Sequence, residues 1–272
     1  ESIYSLLLQE EYRWSDTLHF VANAKIDRYE RSGFFKDSIE SLFRVGAIYT
    51  PHDSFGIKSF YTHTYVPPTF FNVDFAQAQS INLDPQKYRT FTIEGVYSND
   101  TSKLSLIYNH VRIDNFIYLT PVGFINIPHT VTTQGLTLSY EYLFSDNYRL
   151  KLNYFANKLS EKANNSKEGG FIKIMGAYED LSYFSSLIYR RGYAYDDPSQ
   201  NIYVGVADAF DLSLGMRYNY SEDISLSIKG ENLLEKATQS LYTHVSFPPP
   251  SAEHFSFYDY EKRVSLSLSW RF

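Results

Sequence analysis

Seven histidines are the first residues to test for chemistry: His19, His52, His63, His110, His129, His244 and His254. Metal sites built on one element space their ligands at short fixed intervals such as i, i+4, and no pair here stands so. His244 and His254 share one long connection and are the best pair. The chain has no cysteine, which excludes disulfides, thiol nucleophiles and thiolate–zinc sites. No His-Glu-x-x-His, Gly-x-Ser-x-Gly or Walker pattern occurs. No catalytic residue, metal centre or cofactor is therefore expected, and the chemistry left is binding. Tyr65, Phe70, Phe71, Tyr193, Tyr195, Tyr203, Tyr242 and Phe247 lie in or beside the long connections. Flat rings there offer contact area at low entropic cost, as ligand-recognising loops require. The alternative is that they pack loop to loop or form an aromatic girdle. Arg190 and Arg191 sit together near the end of a strand-like run. Side chains alternate along a strand, so one of the two faces each side. An inward Arg could hold a carboxylate or another anionic group; the alternative is a charge facing water or lipid headgroups.

These residues must be positioned by strands. In Val264–Phe272, apolar Val264, Leu266, Leu268, Trp270 and Phe272 alternate with Ser265, Ser267, Ser269 and Arg271. This is period two, with one apolar and one polar face. The pattern recurs: Leu212, Leu214, Met216, Tyr218 and Tyr220 oppose Asp211, Ser213, Gly215, Arg217 and Asn219. Patterning predicts thirteen strands, at about 2–14, 18–31, 40–50, 55–66, 88–98, 103–114, 131–145, 148–160, 169–179, 181–195, 208–221, 224–236 and 261–272. Short turns rich in Asp, Asn and Ser, the residues that close turns through their own side chains, alternate with longer connections. The long ones are 32–39, 67–87, 115–130, 161–168, 196–207 and 237–260. Strict short–long alternation is the mark of a transmembrane β-barrel, with short periplasmic turns and long outer loops.

Composition agrees. Mean hydropathy is −0.33, and no apolar run is long enough for a transmembrane helix. Barrel strands carry an apolar residue only at every second position, so a low mean does not argue against a membrane. Aromatic residues reach 18%, with 25 Tyr and 21 Phe, more than a soluble core needs but suited to strands that cross two interfaces. The net charge of −6 carries no basic stripe, so nucleic acid is not an expected partner.

Three stretches resemble the C-terminal half of a TonB-dependent outer-membrane receptor. In Tyr65–Gly95, Pro68-Thr69-Phe70 and Asn82-Leu83-Asp84-Pro85-Gln86 are followed by Thr92-Ile93-Glu94-Gly95; Gln86 stands where the family usually has Glu. Lys229–Lys236 contains Glu231-Asn232-Leu233, similar to the family's penultimate-strand motif, and the last strand resembles the closing strand. The opening strand, short turn and strand ending in Arg28-Tyr29 also resembles the family. The resemblance implies an all-β fold, an antiparallel transmembrane β-barrel segment of about 13 strands from a 22-stranded barrel. Residues 1–272 would be its C-terminal portion, without the plug domain and first strands. An odd count, where single-chain bacterial barrels are even, and an opening in mid-pattern suit that reading.

The implied function is uptake, across the bacterial outer membrane, of a bulky scarce nutrient such as a ferric siderophore, a cobalamin-like compound or another metal chelate. The implied partners are the TonB energy-coupling complex through the plug, outer-membrane lipid and lipopolysaccharide, the barrel-assembly machinery and the chelate itself. Trp270 and Phe272 would carry the assembly signal. The family's haem receptors usually place a ligand histidine in the loop before the Asn-Leu-Pro motif, and residues 66–87 hold none. A passive porin-type channel is the main alternative, and a barrel lipid hydrolase a lesser one.

Overall fold

The computed structural model describes residues 2–30, 37–77, 82–120, 123–160, 166–197, 202–246 and 251–271; at 74–77, 119–120, 195–197, 202–203, 241–246 and 251–258 it describes backbone alone. The elements are β1 (Ser2–Arg13), β2 (Leu18–Glu30), β3 (Ser38–His52), β4 (Phe55–Val66), α1 (Phe70–Gln77), β5 (Gln86–Ser98), β6 (Ser102–Asp114), β7 (Ile117–Thr120), β8 (Gly123–Asn126), β9 (Val131–Ser145), β10 (Tyr148–Leu159), β11 (Glu168–Tyr178), β12 (Leu181–Arg190), β13 (Tyr193–Asp197), β14 (Ile202–Val206), β15 (Ala209–Asn219), β16 (Ile224–Glu231), β17 (Gln239–Ser246), β18 (Ser251–Tyr258) and β19 (Arg263–Trp270).

Thirteen strands form one sheet in the order β1-β2-β3-β4-β5-β6-β9-β10-β11-β12-β15-β16-β19. Each of the thirteen overlaps one of the thirteen predicted runs. β1 and β19 end the order, and among the described residues they do not pair with each other. β7–β8, β13–β14 and β17–β18 are separate hairpins within three of the long connections. Patterning predicts loops there, apart from Tyr193–Tyr195, which it joins to β12.

Residues divide into two units: Glu1–Val96 with Ile107–Gly135 and Lys158–Glu161, and Tyr97–Leu106 with Leu136–Asn157 and Lys162–Phe272. In the first, antiparallel register aligns Leu6 with Ile26, Leu8 with Ala24 and Tyr12 with Phe20 on one face. Ser5 aligns with Asp27 and Gln9 with Asn23 on the other. In the second, Leu152, Ile172, Leu187 and Leu212 form one apolar row across four strands. Met216, Ile228 and Leu266 form another. The opposite face carries Arg149, Lys151, Lys173, Ser186, Ser213, Arg217, Ser227 and Ser267. Period-two alternation thus makes two continuous faces, one apolar and one polar.

Both faces are bare. The chain exposes 18069 Å², where a globular protein of this mass would expose about 12,000 Å². Leu266 and Leu268 are each 71% exposed, and β1 and β19 are exposed along their whole described length. A sheet with an uncovered apolar face is stable only where lipid supplies the cover.

Two departures from the sequence reading have local causes. β16 stops at Glu231 instead of running to 236, because Asn232 and Glu235 adopt positive φ (48° and 56°). The chain then rejoins β15: Leu233 N–H donates to Leu212 O at 2.9 Å, and Phe210 bridges Lys236. Leu214 pairs with Gly230, so from there to the bridge the chain after Gly230 carries two more residues than β15, a bulge. The second departure is α1, whose 8 residues slightly exceed two turns. Thr69 caps it. Its Oγ1 accepts the Asn72 N–H at 3.2 Å, and Asn72 Oδ1 accepts the Thr69 N–H at 3.0 Å.

Candidate functional site

In the second unit, the polar face opens into a cavity of about 600 Å³ at the end where the long connections lie. Arg190, Phe155, Tyr193, Thr238, Ser240 and Asp259 line it. β12 ends here because the Gly192 N–H turns to Asp208 Oδ1, at 2.6 Å, and no longer continues the ladder. Arg190 stands opposite Gly169, which stands opposite Phe155, so all three share the polar face. The guanidinium carbon lies 4.7 Å from the Phe155 ring centre, a cation–π contact that fixes the head group while leaving its edge open. Arg190 makes no ion pair among the described residues. Asp259, by contrast, accepts from Thr238 at 2.7 Å and Ser240 at 2.6 Å, so its charge is already hydrogen-bonded.

Arg191 also lines the cavity, but its charge is paired. Its Nη1 lies 3.0 Å from Glu168 Oε1, and Glu168 Oε2 accepts the Tyr154 hydroxyl at 3.2 Å. Tyr154 and Glu168 belong to the apolar face by register, so the Arg191 head group is tethered towards that side, whereas Arg190 stays over Phe155. Arg190 is available to an anion; Arg191 is neutralised.

In the first unit, Tyr65 is only 8% exposed. Its hydroxyl donates to Asp27 Oδ2 at 2.6 Å and lies 2.7 Å from the Tyr29 hydroxyl. Lys25 Nζ sits 2.8 Å from Asp27 Oδ1, and Ser5 donates to the same oxygen. Phe43 stacks on His63 on the face opposite Asp27, so side-chain alternation breaks between His63 and Tyr65 and turns the Tyr65 ring into this cluster. Tyr65 therefore joins strands β1, β2 and β4 to one another.

Phe70 and Phe71 are 62% and 61% exposed on α1. Phe71 meets Phe124 of β8 edge to face at 5.7 Å. The connection after α1 is tied to the β7–β8 hairpin: Asn126 Oδ1 accepts the Asp84 N–H at 2.7 Å, and its Nδ2 donates to Asp84 O at 3.0 Å and Asn115 O at 2.7 Å. Gln86 Oε1 accepts the Ile117 N–H at 3.2 Å, a bond that needs only an acceptor, which the family's Glu would also supply. The Asn-Leu-Asp-Pro-Gln stretch thus anchors two connections together.

Trp270 pairs with Ile224 on the apolar face and is 63% exposed. Phe272 lies outside the described residues, as do the side chains of Tyr195, Tyr203, Tyr242, His244 and His254 and the whole of Phe247. Among the described residues no group of three metal-ligating side chains gathers. The sequence reading missed Phe155 and Asp259; a ring two residues after Asn153 on the polar face was the only signal for the first.

A family model for TonB dependent receptor-like β-barrels matches residues 1–233. No curated protein matches. Among solved structures, FpvA of P. aeruginosa bound to heterologous pyoverdines aligns with a TM-score of 0.76 at 13% identity, over 98% of this chain and 38% of its own. The siderophore receptor PiuA from Acinetobacter baumannii aligns at 0.75 and 12%, over 98% and 43%. The ferric yersiniabactin uptake receptor FyuA from Yersinia pestis aligns at 0.75 and 12%, over 99% and 45%. The chain thus spans about two fifths of the length of these structures and shares their fold.

Proposed function

The chain belongs to the TonB-dependent receptor-like β-barrel family, whose members are bacterial outer-membrane transporters, and from that premise we propose that it forms the C-terminal wall of an active uptake receptor for a bulky, anionic metal chelate. The observation that carries this reading is the 600 Å³ cavity at the long-connection end of the polar face, with Arg190 stacked on Phe155 and lacking a carboxylate partner among the described residues. Its volume falls within the range of small-molecule sites. A guanidinium fixed by stacking offers a carboxylate or catecholate two parallel hydrogen bonds at little ordering cost.

No bond is made or broken in such a protein; the ligand is caught by the outer connections and the polar face. Movement inward would follow from TonB acting on a plug domain held in the barrel. FyuA takes up ferric yersiniabactin and OprC is a copper transporter, so related folds carry different metal cargoes. The support for a chelate here is the chemistry of Arg190, Phe155 and Tyr193.

The test is binding and uptake of radiolabelled ferric chelates by cells that make the complete receptor, with and without a protonophore. Binding should persist and accumulation should cease when the proton gradient collapses. Arg190→Ala should weaken binding of anionic chelates about tenfold, as loss of a charged hydrogen-bond pair implies. Accumulation that survives the protonophore would instead identify a passive channel.

A further inference from the structure

In the first unit, positive charge gathers at one place on the lipid-facing side. Thr92 Oγ1 donates to Asn109 Oδ1 at 2.7 Å, and Glu94 reaches Lys58 at 3.8 Å, so Thr92, Glu94 and Asn109 belong to the polar face. Alternation then turns Lys87, Arg89, Phe91 and Ile93 of β5 outward, together with Arg112 and Asp114 of β6. Phe91 and Ile93 are 39% and 38% exposed. β5 begins and β6 ends at long connections, so the charged residues stand at the outer rim, above the apolar ones.

Hydrogen bonds set the register of this rim. With Thr92 across from Asn109, Arg89 stands across from Arg112. Arg89 bonds to Asp114. Thr130 Oγ1 donates to Asp114 Oδ1 at 2.6 Å, which brings Thr132 of β9 beside Arg112. Ser160 N–H donates to Thr132 O at 2.9 Å, and Ser160 Oγ accepts the Thr132 N–H at 2.8 Å. One outward row therefore runs Arg89, Arg112, Thr132, Ser160, and Lys158 lies two residues below Ser160 on the same side. At about 4.8 Å between strands the row spans about 14 Å.

Like charges directly across from each other destabilise a sheet. Asp114 neutralises Arg89, but Lys87, Arg112 and Lys158 are exposed and make no ion pair among the described residues. A plug inside the barrel supplies no counter-charge, because these side chains point out of it. Strands β1 to β4 carry one outward Lys or Arg among the described residues, Arg28, and Glu30 holds it at 3.0 Å. The Ser160 hydroxyl accepts from Thr132 and keeps its own proton to donate. A cation on the lipid face is costly at the midplane and cheap near the interface, where lipid headgroups lie.

We propose that Arg112 and Lys158, flanked by Lys87 and with the Thr132 and Ser160 hydroxyls between them, dock the phosphate groups of one outer-leaflet lipid whose acyl chains run down over Phe91 and Ile93. Phosphate suits the row because it accepts several charge-assisted hydrogen bonds at once. The site rests on the placement of the apolar face in the membrane and is independent of which cargo the receptor carries.

The experiment uses the complete receptor, stripped of lipid in detergent, and counts retained lipid by native mass spectrometry. The probe is a diphosphorylated glucosamine lipid; the same lipid without phosphate and inorganic phosphate are the comparisons. Wild-type receptor should retain the diphosphorylated lipid and release the phosphate-free one. Arg112→Gln with Lys158→Gln should retain one lipid fewer per receptor. Arg112→Lys with Lys158→Arg should match wild type, as should Arg13→Gln at an exposed short turn. Folding of each variant is read from heat-modified migration, and Arg112→Gln alone, with a severalfold loss of occupancy, replaces the double variant if that does not fold. The site is wrong if wild type retains both lipids equally, if the glutamine variant retains as many as wild type, or if Arg13→Gln loses as many. Displacement of the lipid by an equal concentration of inorganic phosphate would mark an ion site and overturn the lipid assignment. The assay needs neither chelate nor TonB energy, so retained lipid without energised uptake would sink the uptake reading and leave this site standing. Energised uptake with no retained lipid would do the opposite.

Discussion

Leu214→Arg is the substitution that most directly tests the placement of this sheet in lipid. On β15, Phe210 and Tyr218 bracket Leu214 on the apolar face, four residues away on each side. Phe210 pairs with Tyr189 towards the long-connection end, and Tyr218 pairs with Leu181 at the short-turn end. Eight residues span about 26 Å along the strand, or about 20 Å of height at a barrel tilt near 40°, close to the apolar band of an outer-membrane barrel. Leu214, 43% exposed, then sits near the midplane. Arginine there should destabilise the folded receptor by about 2–4 kcal/mol, and arginine at Tyr218, near the interface, by no more than about 1 kcal/mol. Arginine at Ser213 faces the polar side and should be nearly silent. The assay is urea titration of the complete receptor in phospholipid vesicles, with the midpoint and slope recorded for each variant. Equal midpoints for Leu214→Arg and Ser213→Arg would refute the assignment of faces. A larger cost at Tyr218 than at Leu214 would refute the depth.

Three further outcomes can be checked, two by the same titration and one by amide exchange as well. Tyr65→Phe should cost about 1.5–3 kcal/mol, because it removes a hydrogen bond to the buried carboxylate of Asp27 and one to Tyr29. Asn232→Val should cost more than Asn232→Gly: glycine tolerates φ of 48° and loses chiefly the Nδ2 bond to Tyr260 O, whereas a β-branched side chain is strained there as well. Gln86→Glu should be nearly neutral, since the acceptor for the Ile117 N–H is kept, while Gln86→Leu should free the β7–β8 hairpin, seen as faster amide exchange at Ile117.

The strands were legible because period two extends over whole elements and Asp, Asn and Ser mark the turns. What lay outside the pattern came from single residues acting locally. Asn232 ends β16 by its backbone conformation, which no alternation of apolar residues announces. Thr69 and Asn72 cap α1 with an Asn where the familiar signal is Glu or Gln, so the helix read as loop. The hairpin Ile117–Thr120 with Gly123–Asn126 is too short for a period to show. At the site, alternation set Arg190 apart from Arg191 but could not say which stays over the polar face; the register with Gly169 and the Glu168 ion pair decide that. Tyr65 read as a loop aromatic because its turn towards Asp27 leaves no mark on residue type.

The uncovered faces of the sheet have a consequence for how such a chain changes over generations. In a protein with a packed interior, a longer loop at one corner must be reconciled with side chains arriving from every other element. Here each strand answers to its two neighbours in the ladder and, on its apolar side, to lipid. The bulge at Asn232 shows the economy: two additional residues are absorbed between Gly230 and Lys236, and the partner strand continues undisturbed. Outer connections can therefore lengthen, shorten or recruit a hairpin while the wall beneath keeps its register. A lineage built this way can change its cargo repeatedly by rewriting the rim alone, which suits solved relatives of the same fold that share only 12–13% of their residues with this chain.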